Sequence, residues 1–124
     1  MTVHVDTSAL VAALTEPHAA LDALTRLVDE RHRVAISSLV LYEWLRGPRT
    51  LPELRAQEAL FPRAAAVPFD AHAARIAARL YAGLPRASRR ASDLAVAASA
   101  MSRDAAVWTL NKVDFEDIPG LRLV

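Results

Sequence analysis

Short apolar runs, each followed by polar residues and then a helical pattern, constrain this chain more than any other feature. Val3 to Val5 runs into Asp6-Thr7-Ser8, Arg33 to Ile36 into Ser37-Ser38, and Ala65 to Phe69 into Asp70. Ala106 to Leu110 and Leu121 to Val124 read as two further strands. The first helix is predicted from Ala9 to Leu14; a second starts at Thr15-Glu16-Pro17, with Leu21, Leu24, Leu27 and Val28 along one face. Ser37-Ser38 caps the helix that carries Glu43, which Gly47-Pro48 ends, and Thr50-Leu51-Pro52-Glu53 opens another that stops near Pro62. Asp70 caps a helix whose buried side holds Ile76, Ala77, Leu80, Tyr81 and Leu84. After a basic loop from Pro85 to Ala91, an Ala-rich helix begins at Ser92-Asp93 and runs to about Arg103. Strands alternating with helices predict an α/β fold, a mostly parallel central sheet covered on both faces. With no repeat or linker, residues 1–124 are expected to form a single domain.

Cysteine is absent, which excludes zinc-finger, thiol-nucleophile and disulfide-scaffold chemistry. His4 and Asp6 interrupt any apolar leader, and no uncharged run approaches a membrane span, so a soluble cytoplasmic protein with no membrane association is expected. Net charge is only +1, yet Lys112 is the single lysine among 15 basic residues. Overall charge therefore does not mark a nucleic-acid binder; local arginine clusters could.

Three acids stand out. Asp6 ends a strand, where an open α/β sheet presents residues to its crevice. Asp93 starts a helix that follows the basic loop. Either could serve its helix alone, Asp6 as a cap and Asp93 as a first-turn acid. Glu43 resists such an account, because it lies mid-helix among Leu41, Tyr42, Trp44 and Leu45, where a carboxylate needs a distant Arg or a cation. In a parallel sheet, strand C-termini and the next helix N-termini share one edge, so Asp6, Asp93 and the segment after Leu110 should converge, with Glu43 reaching them. Carboxylates gathered in an apolar pocket repel unless a cation neutralises them, and oxygen-only ligands select Mg²⁺ or Mn²⁺ over zinc. Such an ion suits phosphodiester hydrolysis by activated water. A metal-free ribonuclease would need a positioned acid/base pair, which His4, His18, His32 and His72 do not form.

The chain resembles the PIN-domain family, and within it the VapC toxins of toxin–antitoxin pairs. The resemblance rests on Val5-Asp6-Thr7-Ser8-Ala9-Leu10, Ser37-Ser38-Leu39-Val40-Leu41-Tyr42-Glu43, Ser92-Asp93-Leu94-Ala95-Val96-Ala97-Ala98, and Trp108 to Phe115 followed by Pro119-Gly120-Leu121, in that order. It implies a three-layer α/β/α fold, Mg²⁺-dependent endoribonuclease activity and inhibition by a cognate VapB-like antitoxin. Asp6, Glu43 and Asp93 carry over as catalytic metal ligands. Where the family commonly has a fourth acid this chain has Asn111, and Asp114 is expected to supply the charge, as a fourth catalytic residue with Asn111 as a further ligand. Thr7 and Ser8 beside Asp6, and Arg86, Arg89 and Arg90 before Asp93, are the expected RNA contacts.

The early helices carry Leu21, Leu24, Leu27 and Val28, then Leu39, Val40, Leu41, Tyr42, Trp44 and Leu45, more large apolar residues than a short two-helix segment can bury alone. A homodimer and an antitoxin groove are therefore expected partner surfaces. A phosphorelay receiver domain would need an acidic pair after the first strand, where Thr7-Ser8 stands, and a haloacid-dehalogenase phosphatase would need Asp at Ser8. A PIN fold kept only for binding, without catalysis, is the remaining alternative.

Overall fold

In the first strand the side chains on both sides of the pleat are apolar or must be neutral, so this strand has to be central. A computed structural model describes residues 1–16 and 19–124 and places β1 (Thr2–Val5) in the middle of a three-stranded parallel sheet. β2 (Arg33–Ala35) pairs on one side, Thr2 against Arg33 and His4 against Ala35; β3 (Ala106–Trp108) pairs on the other, Val3 against Ala106 and Val5 against Trp108. Val3, Val5 and His4 are all buried. Neither ring nitrogen of His4 has a partner among the described residues, and burial first, then the charge of Arg103, pushes its pKa down to about 4.

Two helices, α1 (Thr7–Thr15) and α2 (Ala19–Asp29), lead from β1 to β2. Four more lead back past β1 to β3: α3 (Ser38–Arg46), α4 (Leu51–Leu60), α5 (Ala71–Gly83) and α6 (Ala91–Met101). Because parallel crossovers are right-handed, reversing the direction of travel puts the second set on the opposite face, giving three layers, α/β/α. The reversal at β1 also opens a crevice at the C-terminal edge of the sheet.

Local chemistry sets where these helices start. Ser37 Oγ accepts from the Val40 N–H, and Asp70 accepts from the Ala73 N–H at 2.9 Å. Thr50 and Glu53 form a reciprocal capping box with Pro52 in the first turn. In α3, Val40 and Trp44 point into the core one turn apart, which turns Tyr42 and Leu45 outward and leaves Glu43 beside the buried stripe. Arg49 lies over the Trp44 ring, 4.2 Å from its centroid.

Several sequence expectations are corrected. Ala65 to Phe69 is not a strand: Arg63–Ala65 is a 3-10 turn and only Val67 pairs, with Ser37. Pro68 has no N–H with which to continue the ladder. Leu121 to Val124 likewise contributes a single bridge, Leu123 to Val107. Tyr81, Leu21 and Val28 are exposed, whereas Leu24 is core. The expected helix start at Pro17, and His18, lie outside the described residues.

Trp44 and Tyr42 flank Glu43, so substituting each separates core packing from surface. Trp44→Ala should destabilise by about 3–5 kcal/mol. Tyr42→Ala should change stability by less than about 0.5 kcal/mol. Urea denaturation monitored by circular dichroism measures both; equal losses would mean that α3 is not oriented as described.

Candidate active site

Asp6 leaves β1 in an extended conformation and occupies the N-cap position of α1, yet its side chain does not cap the helix. Instead Oδ2 accepts from Thr109 Oγ1 at 2.8 Å and from Ser8 Oγ at 3.1 Å. The same two hydroxyls stand 3.2 Å apart; Ser8 Oγ accepts from the Leu110 N–H and Thr109 Oγ1 from the Asn111 N–H. This lattice ties the end of β1 to the segment leaving β3, and it holds Asp6, a residue only 4% exposed.

Glu43 reaches the same edge from α3. Thr7 Oγ1 donates to Oε1 at 2.8 Å, and Ser92 Oγ, from the first turn of α6, donates to Oε2 at 3.1 Å. Arg46, one turn on, lies 3.5 Å from Oε2, so Glu43 does have a basic neighbour, although one that is more than half exposed and screened by solvent. Asp93 sits half-buried in the first turn of α6. Among the described residues no side-chain hydroxyl donates to it. Burial, then the charges of Asp6, Asp114 and Glu43, raise its pKa to about 6, against the opposing charge of Arg90. Asp6 is also shifted upward by burial, but Thr109, the Thr7 backbone and Ser8 hold it back.

The fourth acid comes from a 3-10 turn, Lys112–Asp114, that follows β3. Asn111 Nδ2 donates to Asp114 Oδ2, so the neutral and charged candidates form one pair, Asn111 exposed and Asp114 half-buried.

The PIN domain family model matches residues 3–121. The chain belongs to the PIN-domain family. Its fold is similar to that of VapBC2 from Rickettsia felis bound to a DNA fragment from its promoter, at 22% identity and a TM-score of 0.78, covering 100% of this chain and 98% of that one. DNA-bound VapBC from Salmonella typhimurium aligns at 25% identity and a TM-score of 0.74, covering 100% and 97%. VapBC-5 from Mycobacterium tuberculosis, a member of the VapBC family of toxin-antitoxin systems, aligns at 30% identity and a TM-score of 0.66, covering 99% and 97%. No curated protein matches the chain. The protein is a PIN domain of the VapC type.

In this PIN domain the donor set is made of oxygens, the chemistry that suits a hard divalent cation. Among the described residues no group of three or more His, Cys, Asp or Glu side chains is yet placed to hold an ion, since Asp6 and Glu43 are turned toward hydroxyls. The crowding that raises Asp93 is what a bound cation would relieve.

The expected RNA contacts divide. Arg86 and Arg89 are exposed. Arg90 is corrected: its side chain is 3% exposed, and its guanidinium grips Asp117 and the Asp114 carbonyl, out of reach of a polymer. Thr7 and Ser8 are half-buried, and their hydroxyls serve Glu43 and Asp6. Sequence reasoning assigned no role to Ser92, Thr109 or Asp117. Ser92 and Thr109 stood inside the quoted motifs as small hydroxyl residues beside an acid or a strand end, which is the signal that could have found them.

Asp93 and His4 act on stability with opposite signs. With its pKa near 6, Asp93 keeps a proton in the folded chain that the unfolded chain has lost, so it favours the fold as pH falls through 6. His4, ordinarily near 6.5 and here about 4, stays neutral while the unfolded chain takes up a proton, so it costs stability as pH falls below 6.5. The metal-free protein should therefore change little between about pH 6.5 and 5. Asp93→Asn, which removes that compensation while Asp6 stays shifted upward, should lose more stability than the unsubstituted protein over that window in urea titrations. A variant that gained stability on acidification would overturn this assignment.

Proposed function

We propose that this protein is a VapC-type toxin, a Mg²⁺-dependent endoribonuclease neutralised by a VapB-like antitoxin. The observation that carries the reading is the gathering of Asp6, Glu43, Asp93 and Asp114 at the crevice of a PIN fold, where burial and then the charges of Asp6, Asp114 and Glu43 raise Asp93 to about 6. Strongly perturbed acids grouped in a cleft are a signature of chemistry. Asp6, Glu43, Asp93 and Asp114, with Asn111 beside it, would hold Mg²⁺ or Mn²⁺, which when bound polarises a phosphoryl oxygen and acidifies water for attack.

The chain's own residues prepare that step. Thr109 and Ser8 fix Asp6; Thr7 and Ser92 fix Glu43. Asp93 has no hydroxyl donor among the described residues, which leaves its carboxylate to meet a cation. Arg86 and Arg89, exposed just before α6, would meet the phosphate backbone, which binds without regard to sequence.

The apolar surface expected for partners is partly core, since Leu24, Val40 and Trp44 are buried. What remains exposed includes Tyr42 and Leu45 on α3 and Leu51 on α4. Beside them a groove of about 300 Å³ is lined by Leu41, Leu45, Leu54, Gln57, Glu58 and Arg63. The structural relatives above are VapBC complexes, and an antitoxin segment on this face, with a homodimer using further apolar surface, completes the reading. Among the described residues no helix is long and apolar enough to cross a membrane. Among the described residues no three acids stand ready to share an ion, and a catalytically silent PIN-fold binding module is the second reading.

Induced expression in a bacterial host should create new RNA 5′ ends that vanish with Asp6→Ala, Glu43→Ala or Asp93→Ala, while co-expressed antitoxin restores growth. Purified protein should cleave RNA with Mg²⁺ or Mn²⁺ and stop in excess EDTA. Full activity in EDTA would refute the metal mechanism, and no cleavage together with no metal binding would favour the silent module.

Arg86→Ala with Arg89→Ala should weaken binding across unrelated RNA sequences and lower the slope of log affinity against log salt by roughly 2. An unchanged slope would return both arginines to the solvated surface.

A further inference from the structure

Arg90 stands apart from the arginines that precede it. Its backbone is locked to the start of α6, where its carbonyl accepts from the Leu94 N–H at 2.9 Å. Its side chain crosses to the turn after β3: Nη1 donates to Asp117 Oδ2 at 2.8 Å, and Nη2 donates to Asp117 Oδ1 and, at 2.8 Å, to the backbone carbonyl of Asp114. Nε is buried and has no partner among the described residues. A buried ion pair adds little net stability over well-packed apolar side chains, so its distinctive contribution is location. The turn already has core anchors in Phe115 and Ile118, which set its depth. Arg90 is the described side chain that grips Asp114 at its own carbonyl, while standing three residues before Asp93.

We propose that Arg90 is a positioning residue: its guanidinium, oriented by Asp117, pins the Asn111–Asp117 turn to the start of α6 and so sets the distance between Asp114 and Asp93. The proposal rests on the nuclease reading for its purpose, but not for its geometry. It assigns Arg90 no contact with RNA. A planar fork is required, because one side chain has to span a carboxylate and a carbonyl together. Lysine keeps the charge but cannot make that span.

The test uses the full chain carrying Arg90→Lys or Asp117→Asn; Asp117 lies at the surface end of the pair, so its variant serves where the buried substitution impairs folding. In the metal-free protein, amide exchange at Phe115, Glu116 and Ile118, whose N–H groups bond within this turn, should accelerate at least tenfold while β1 and α6 amides are unchanged. Calorimetric Mn²⁺ affinity should fall by about the factor seen for Asp114→Asn, and adding Arg90→Lys to Asp114→Asn should cause no further fall. kcat should drop with KM for RNA unchanged. Unaltered exchange would overturn the clamp, as would additive losses in the double variant. A raised KM at constant kcat would make Arg90 an RNA contact instead. If the unsubstituted protein neither binds Mn²⁺ nor cleaves RNA, the nuclease reading fails while amide exchange still decides the clamp.

Discussion

Like charges held close together in a half-buried pocket raise the free energy of the folded chain, and the arrangement around Asp6, Glu43, Asp93 and Asp114 is organised by that cost. Each acid meets it differently. Asp6 is the most buried, and it is tolerated because Thr109 and Ser8 donate to one of its oxygens. Glu43 receives Thr7 and Ser92 on separate oxygens, with Arg46 at the rim. Asp114 shares a hydrogen bond with Asn111. Asp93 has no hydroxyl donor among the described residues, and its burial together with the neighbouring charges shows as a raised pKa. The four hydroxyls come from three separate places in the sequence, so the fold must be complete before the acids can be held together.

That dependence explains what was legible in the sequence. Asp6 and Asp93 could be found because strand-to-helix and loop-to-helix junctions are marked locally by polarity and by capping chemistry. Glu43 could be found because a mid-helix acid between Tyr42 and Trp44 conflicts with its neighbours. The alternation of short apolar runs with helical patterns was enough for a parallel sheet with both faces covered. It was not enough for the sheet's margins, where Val67 and Leu123 each make a single bridge. An apolar run carries no signal for whether its neighbours also pair, except where Pro68 removes a donor.

The arginines mark where sequence reasoning stopped. Arg86, Arg89 and Arg90 are chemically identical and nearly adjacent, and nothing local separates them. Arg86 adopts a left-handed conformation, Ala87 is buried, and the 3-10 turn Ala87–Arg89 then swings Arg90 inward. Its partner Asp117 lies 27 residues away. Long-range polar pairs of this kind have no periodicity, so only the assembled fold distinguishes a residue that faces solvent from one that fastens a loop.

Stability and function pull in opposite directions at this edge. An apolar or amide side chain at Asp93 would relieve repulsion there. Local rules broken at a cleft, while the rest of the chain keeps to them, are the usual mark of a working site. Hydroxyl donors from Thr109 and Ser8 oppose the upward shift that burial gives Asp6, and the charge of Arg90 opposes the one at Asp93. A species that binds only the folded chain adds stability of RT ln(1 + c/Kd) at free concentration c, so a cation in the crevice, or a basic segment inserted there by a partner, would offset the cost the acids impose. The same carboxylates that weaken the free domain would thereby favour any occupied form, while the hydroxyl lattice holds Asp6 and Glu43 in place in the free one.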